Sequence, residues 1–230
     1  LLRFLLNKEM CLQQHQDFID GELTKGRLWA IFFVQLCEAY EINVILPFVV
    51  FMCRDFGIRD DLIGLYSGLL TATYALTQFL SSYGWGWISD HYGRRNALLI
   101  GTVASTFAFI VFGMSKSYPQ AIIARSVAGI FNGNVGVAKA YIADITTEKN
   151  RSFAFSIIAI SFSIGIILGS TCGGALINSF DADDDDVKSE SILPFEPFKT
   201  QFPYLFPCLI GSVLSLIATI FTIINVTDTN

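Results

Sequence analysis

The chain has 230 residues, of which 53% are hydrophobic and only 15% charged, with a formal net charge of −5. A soluble domain carries about 25% charged residues; here the charges sit in short segments between apolar stretches of about 18 residues or more, the length that crosses roughly 30 Å of hydrocarbon as a helix. Basic residues form no patch with interleaved aromatics, which argues against nucleic acid as a partner, and the five scattered cysteines include no CxxC pair, which suggests neither a disulfide framework nor a zinc site.

Six apolar segments follow one another, predicted as helices over about 28–53, 62–84, 96–114, 119–143, 153–178 and 202–226. A helix satisfies its own backbone in lipid, and the alternation over about ten residues that marks a membrane β-strand is missing. The expected fold is therefore an all-α membrane protein with six transmembrane helices. A short segment (1–27) precedes the helical domain (28–226), a long acidic loop (179–201) joins the last two helices, and 227–230 form a tail or truncation point. Counting cations sets the orientation. Arg3, Lys8, Lys25, Arg27, Arg94, Arg95, Lys139, Lys149 and Arg151 fall on one side, against Arg54, Arg59, Lys116, Lys188 and Lys199 on the other. That bias places both termini in the cytoplasm, in a plasma or vacuolar/endomembrane location. The acidic run from Asp181 to Asp186 lacks the turn glycine of a calcium loop and is expected to be a solvated outer loop.

The first helix carries Glu38 and Glu41 near its middle, about 60° apart around the axis. Two carboxylates at that depth are costly and should face a water-filled cavity. Pro47 follows. The loop after the second helix reads Gly86-Trp-Ile-Ser-Asp90-His-Tyr-Gly93-Arg94-Arg95. Its glycines permit a tight reversal, Asp90 is suited to cap a helix start, and the paired arginines anchor the loop at the inner surface. This stretch resembles the signature loop of the major facilitator superfamily, with His91 where the family usually has Arg or Lys.

The fourth helix offers Arg125, Gly129, Asn132 and Gly136 at helical spacing, expected on one face. Arg125-Ser-Val-Ala-Gly129 is similar to the superfamily's Arg-x-x-Gln-Gly motif, with Ala128 in place of Gln. An arginine in a membrane helix needs a partner. By rise alone Glu41 lies about 16 Å from the outer face and Arg125 about 9 Å, so a Glu41–Arg125 ion pair is expected. In the fifth helix, Gly165, Gly169 and Gly173 share a face that lets a neighbour approach closely, with Gly174 beside them. This resembles the antiporter motif Gly-x-x-x-Gly-Pro-x-x-Gly-Gly, with Ser170 in place of the kinking proline.

The four motifs resemble the N-terminal half of a major facilitator superfamily transporter, most like the drug:proton antiporter branch and its eukaryotic zinc-induced facilitator-like members. The resemblance implies two inverted three-helix repeats and a midplane site. It also implies proton-coupled export of a small organic solute by alternating access, with no enzyme activity, cofactor or metal. Glu38, Glu41, Arg125 and Asn132 would couple substrate and protons. Gly86, Asp90, Gly93, Arg94 and Arg95 would form the gating loop, and Pro47 and the glycines would serve helix packing. The partners would be the lipid bilayer, a small-molecule substrate, protons, and a missing C-terminal half or a second copy. A passive facilitator of sugars or organic anions, and a non-transporting half that pairs with a full-length relative, are the alternative readings.

Overall fold

The computed structural model describes residues 24–181, 202 and 204–227; the N-terminal segment to residue 23, most of the acidic loop, and the last three residues lie outside the described residues. The described chain forms eight helices: α1 (Lys25–Asn43), α2 (Ile45–Asp55), α3 (Ile63–Tyr92), α4 (Arg94–Gly113), α5 (Tyr118–Phe131), α6 (Asn134–Ile145), α7 (Glu148–Asp181) and α8 (Leu205–Asn225). They make six spans, because α1 with α2 and α5 with α6 each run as one interrupted rod. Five of the six are long and apolar enough to cross a membrane. The exception is α3, which is 30 residues long but carries a ladder of hydroxyl and amide side chains including Ser67, Thr71, Thr77, Gln78 and Ser81.

Both interruptions have local causes. Thr24 caps the start of α1, its Oγ1 accepting from the Arg27 backbone N–H. At the other end, Pro47 lacks the N–H that the Asn43 carbonyl would accept, so the first span breaks at Val44. In the fourth span the break falls at Asn132 (φ −91°, ψ 85°) and Gly133, two poor helix formers in succession. This corrects the expectation of one continuous helix over 119–143: Asn132 and Gly136 do not continue the face begun by Arg125 and Gly129. A span can unwind inside a membrane only where protein takes up the freed carbonyls. Here α3 supplies the donors: Trp85 Nε1 donates to the Ile130 carbonyl at 2.7 Å, and Ser81 Oγ donates to that of Gly129 at 3.3 Å.

The packing has a two-fold pattern. The first span lies chiefly on the fifth, and the fourth on the second; the sixth lies on the third and the first, and the third on the fourth. Exchanging helices one to three with four to six maps this scheme onto itself, as two inverted three-helix repeats require. Small residues allow the closest approaches. A Cβ at Gly169 would fall 2.7 Å from the Tyr40 carbonyl oxygen, and one at Gly165 or Gly173 would strike the Leu36 or Val44 carbonyl. Gly129 meets Tyr74 and Thr77 of α3 in the same way, and Gly173 also faces Pro47. Gly174 meets nothing within 4 Å and takes no part in this contact.

Two large apolar clusters fill most of the bundle, with a small third one of Tyr74, Ala108 and Ala128. One gathers Ile31, Val34, Leu98, Tyr141 and Ile142; the other gathers Val44, Phe48, Phe109, Phe112 and Cys208. Between them, at the level of residues 38–41 of the first span, runs a layer of buried polar side chains.

Candidate coupling site at the polar layer

Glu38 is fully buried, at 0% exposure. Asn134, the first residue of α6, donates from Nδ2 to Glu38 Oε1 at 2.6 Å. Asn132 donates to Glu38 Oε2 and also contacts the Tyr74 hydroxyl. Gln78 Nε2 in turn donates to Asn132 Oδ1 at 3.1 Å. The break in the fourth span thus turns two amides onto one carboxylate, and the second span buttresses them.

Glu41 is 5% exposed and has a different hydrogen-bond partner: Ser215 Oγ of α8 donates to its Oε1 at 2.7 Å. Arg125 is 2% exposed. Its guanidinium lies 4.1 Å from the centroid of the Tyr74 ring and 5.5 Å from that of Phe112. The expected Glu41–Arg125 ion pair is not formed: none of the ion pairs within 4.0 Å among the described residues involves Arg125, and its Nε has no hydrogen-bond partner. Glu41 spends its hydrogen bond on Ser215, and the aromatic faces hold the arginine. Such faces are worth about 2 kcal/mol to a desolvated cation, whereas burying an ion costs several kcal/mol. The aromatic contacts therefore cover only part of that cost, and Glu41 is the carboxyl that acts on the guanidinium across the remaining gap.

The charged end of the bundle forms a second cluster. Gly93 sits at φ 91°, ψ 146°, a conformation open to glycine, and reverses the chain between α3 and α4. Asp90 does not cap a helix start, because α3 continues through it to Tyr92. Instead Asp90 Oδ1 lies 2.6 Å from Arg94 Nη1. Arg94 also donates to Ser89 Oγ at 2.8 Å, and its Nε lies 3.0 Å from Asp144 Oδ2 in the last turn of α6. Arg95 Nη2 donates to the Ile223 carbonyl at 3.1 Å, tying α4 to the end of α8. His91 stacks on Trp87 at 4.5 Å, outside this network. Gly86 has open space before it, on the wall of a groove of about 550 Å3 between the second and fourth spans. That groove runs from Arg94 past Trp85 and Gly133 to Asn132 and Gln78.

Of the expected coupling residues, the structure joins Glu38 to Asn132 and sets Glu41 within electrostatic reach of Arg125 without direct contact. Sequence reasoning missed Asn134, Tyr74, Gln78, Ser215 and Asp144. For the first of these the signal was present, since Asn-Gly-Asn inside an apolar run marks a break as readily as a helix face.

Residues 31–229 match the family described as Major Facilitator Superfamily. The chain is 33% identical over 195 residues to Protein ZINC INDUCED FACILITATOR-LIKE 1 of Arabidopsis thaliana, covering 84% of this chain and 40% of that protein. It is 30% identical over 207 residues to the multidrug transporter mfsB of Aspergillus fumigatus, covering 89% and 33%. Among solved structures it resembles the human organic anion transporter MFSD10, with a TM-score of 0.68 at 19% identity, covering 89% of this chain and 48% of that one. It resembles a D-xylose-proton symporter with the same TM-score at 16% identity and the same coverage. The chain therefore spans 33–40% of the length of these curated relatives and about half of the solved structures. Its six spans are half of such a fold, and the chain belongs to the major facilitator superfamily.

Proposed function

We propose that this chain is one half of a secondary active transporter that exports a small organic solute, coupled to protons, by alternating access. The observation that carries the reading is the polar layer: two buried carboxylates and an arginine at mid-bundle, beside a broken helix, where a soluble-type core would be apolar. In this reading Glu38, Glu41, Arg125 and Asn132 couple substrate to protons, with Asn134 and Tyr74 positioning Glu38. The Asp90–Arg94–Asp144 cluster latches one end of the bundle and opens as the halves rock. Efflux proteins among the relatives, such as the tetracycline resistance protein of Escherichia coli (34% identical over 139 residues, 60% of this chain and 35% of that one), support a drug-like cargo. The complementary half is a partner, whether further chain, another polypeptide or a second copy. Both termini lie in the cytoplasm, and the protein serves a plasma or vacuolar membrane.

The test is solute flux in reconstituted vesicles, with this chain alone and together with a relative's C-terminal half. Flux that requires an imposed pH gradient and is lost in Glu41→Gln and Glu38→Gln is the expected result. Flux indifferent to the gradient would replace this reading with a passive facilitator. No flux in either sample would leave a non-transporting half.

A further inference from the structure

The two amides that hold Glu38 are not equivalent. Asn132 is committed at both ends of its side chain: Nδ2 donates to Glu38 Oε2, and Oδ1 accepts from Gln78. Asn134 is committed at one end only. Its Nδ2 donates to Glu38 Oε1 at 2.6 Å, while its Oδ1 is buried without a hydrogen-bond partner. Buried polar atoms are nearly always paired, so this one needs a reason. The amide lies against Gly101 of α4, where a Cβ would strike Oδ1 and come 2.7 Å from Cγ and 2.8 Å from Nδ2. It therefore fills space that any side chain at position 101 would take. An ionised carboxylate only accepts, and is matched by an N–H from each amide; a protonated carboxyl also donates, and needs an acceptor. Of the two amide oxygens beside Glu38, Gln78 holds one and the other is unclaimed.

We propose that Asn134 reads the charge on Glu38 by turning its amide over: Nδ2 donates to the carboxylate, Oδ1 accepts from the protonated acid, and the missing side chain of Gly101 leaves room for the turn. This rests on the transporter reading and names the residues that respond to its proton. In either orientation one end of the amide faces Gly101 unpaired, so that side favours neither and the proton decides. A hydrogen bond to an ionised acceptor is about twice as strong as a neutral one. Protonation therefore also loosens the tie between the first span and α6, just past the break in the fourth. Asn132 keeps its orientation throughout, because turning it would set its own N–H groups against those of Gln78. The titratable groups that interact with Glu38 include Glu41 and Cys37 on its own helix and Tyr74 on α3, and Arg125 acts in turn on Glu41 and Tyr74. On α6, Tyr141 follows seven residues beyond Asn134. The residues that α7 and α8 set against this stretch of the first span are Gly165, Gly169, Gly211 and Ser215, none of them titratable.

The test is infrared difference spectroscopy of the whole chain in lipid nanodiscs, titrated from about pH 9 to about pH 4, which needs no flux. The carboxylic C=O band that disappears in Glu38→Gln reports the proton on Glu38. With isotope-labelled asparagine, a side-chain amide band should shift at the same midpoint and vanish in Asn134→Leu and in Glu38→Gln. Asn134→Leu removes a donor that serves the ionised form best, so the Glu38 midpoint should rise by about one pH unit. Gly101→Ala, which pushes the amide off Glu38, should give the same rise. Gly113→Ala is the packing control: its Cβ would come 2.8 Å from that of Cys208 at the other end of α4, so it should lower Tm and leave the midpoint alone. Should Asn134→Leu fail to fold, Gly101→Ala and the amide band of the unaltered chain decide. An amide band that does not move with Glu38 overturns the proposal, as does a midpoint unchanged in the variants or a Glu38 that keeps one charge state across this range. A moving amide band in protein whose flux ignores the pH gradient would sink proton-coupled transport and leave the amide device standing. Gradient-driven flux with a still amide band would do the reverse.

Discussion

Glu38 and Glu41 are three residues apart in one helix, yet their surroundings divide them. Two amides from the broken fourth span hold Glu38, while Glu41 has one hydroxyl from α8. Removing a donor from a fully buried carboxyl costs about 1–3 kcal/mol, and more where the group is ionised. Asn134→Ala should therefore destabilise the bundle by about 2–4 kcal/mol, whereas Ser215→Ala should cost about 1 kcal/mol; thermal unfolding of the two variants in detergent checks the order. Glu38→Gln keeps size and one acceptor and should fold, which makes it the cleaner variant for flux. Nothing in the one-dimensional spacing separates the two carboxylates: only the partners do, and those come from residues 94 to 174 positions away.

At the scale of elements, glycines set how closely the spans approach. Gly169 lies over the Tyr40–Val44 backbone, where added atoms cannot be accommodated by rotating a side chain. Gly169→Leu should force α7 off the first span and cost about 1–3 kcal/mol, while Gly174→Leu, facing open space, should leave stability unchanged; the pair, compared by thermal unfolding, isolates packing from composition. Gly93 sits where only glycine is comfortable, so Gly93→Ala should cost about 1–3 kcal/mol through backbone strain alone. At the other end of the bundle, the Tyr204 hydroxyl donates to Asp55 and its ring stacks on Phe48. Burial first, and then the bonded Asp55 carboxylate, hold the Tyr204 hydroxyl well above its ordinary range. The phenol therefore stabilises the fold below about pH 10, where the unfolded chain's tyrosine ionises, and that stability is lost as pH rises further. Tyr204→Phe should flatten this alkaline loss in a pH series of melting temperatures.

At the scale of the molecule, the bundle buries its polar layer but leaves the second and fifth spans with broad apolar faces, including Leu76, Phe79, Leu80, Phe153, Ile160 and Ile167. Lipid covers part of such a surface, and in the transporter reading the complementary half covers the rest. Flux that appears only on co-reconstitution with a C-terminal half is the expected outcome at this scale. Cysteine labelling from either side of sealed vesicles checks the orientation: a cysteine placed at Lys139 should react from the same side as one at Arg27, and one at Arg59 from the opposite side.

The membrane class, the six spans and the close-packing face of Gly165, Gly169 and Gly173 were legible in the residues themselves, because they depend on length, hydropathy and the 3.6-residue period, which are local properties. The Asp90–Gly93–Arg94 turn was legible too, although its acid proved to be a salt-bridge partner rather than a cap. The break at Asn132 was written in the sequence as Asn-Gly-Asn, but local propensity alone does not say whether a membrane helix yields. It yields here because Trp85 and Ser81, some 45 residues earlier, take the carbonyls it releases. Depth along a helix suggested that Glu41 should reach Arg125. Rotation about the helix axis and the presence of Ser215 and Tyr74 decided otherwise, since a buried charge goes to whichever partner the packed neighbours present, and only the tertiary structure sets that choice.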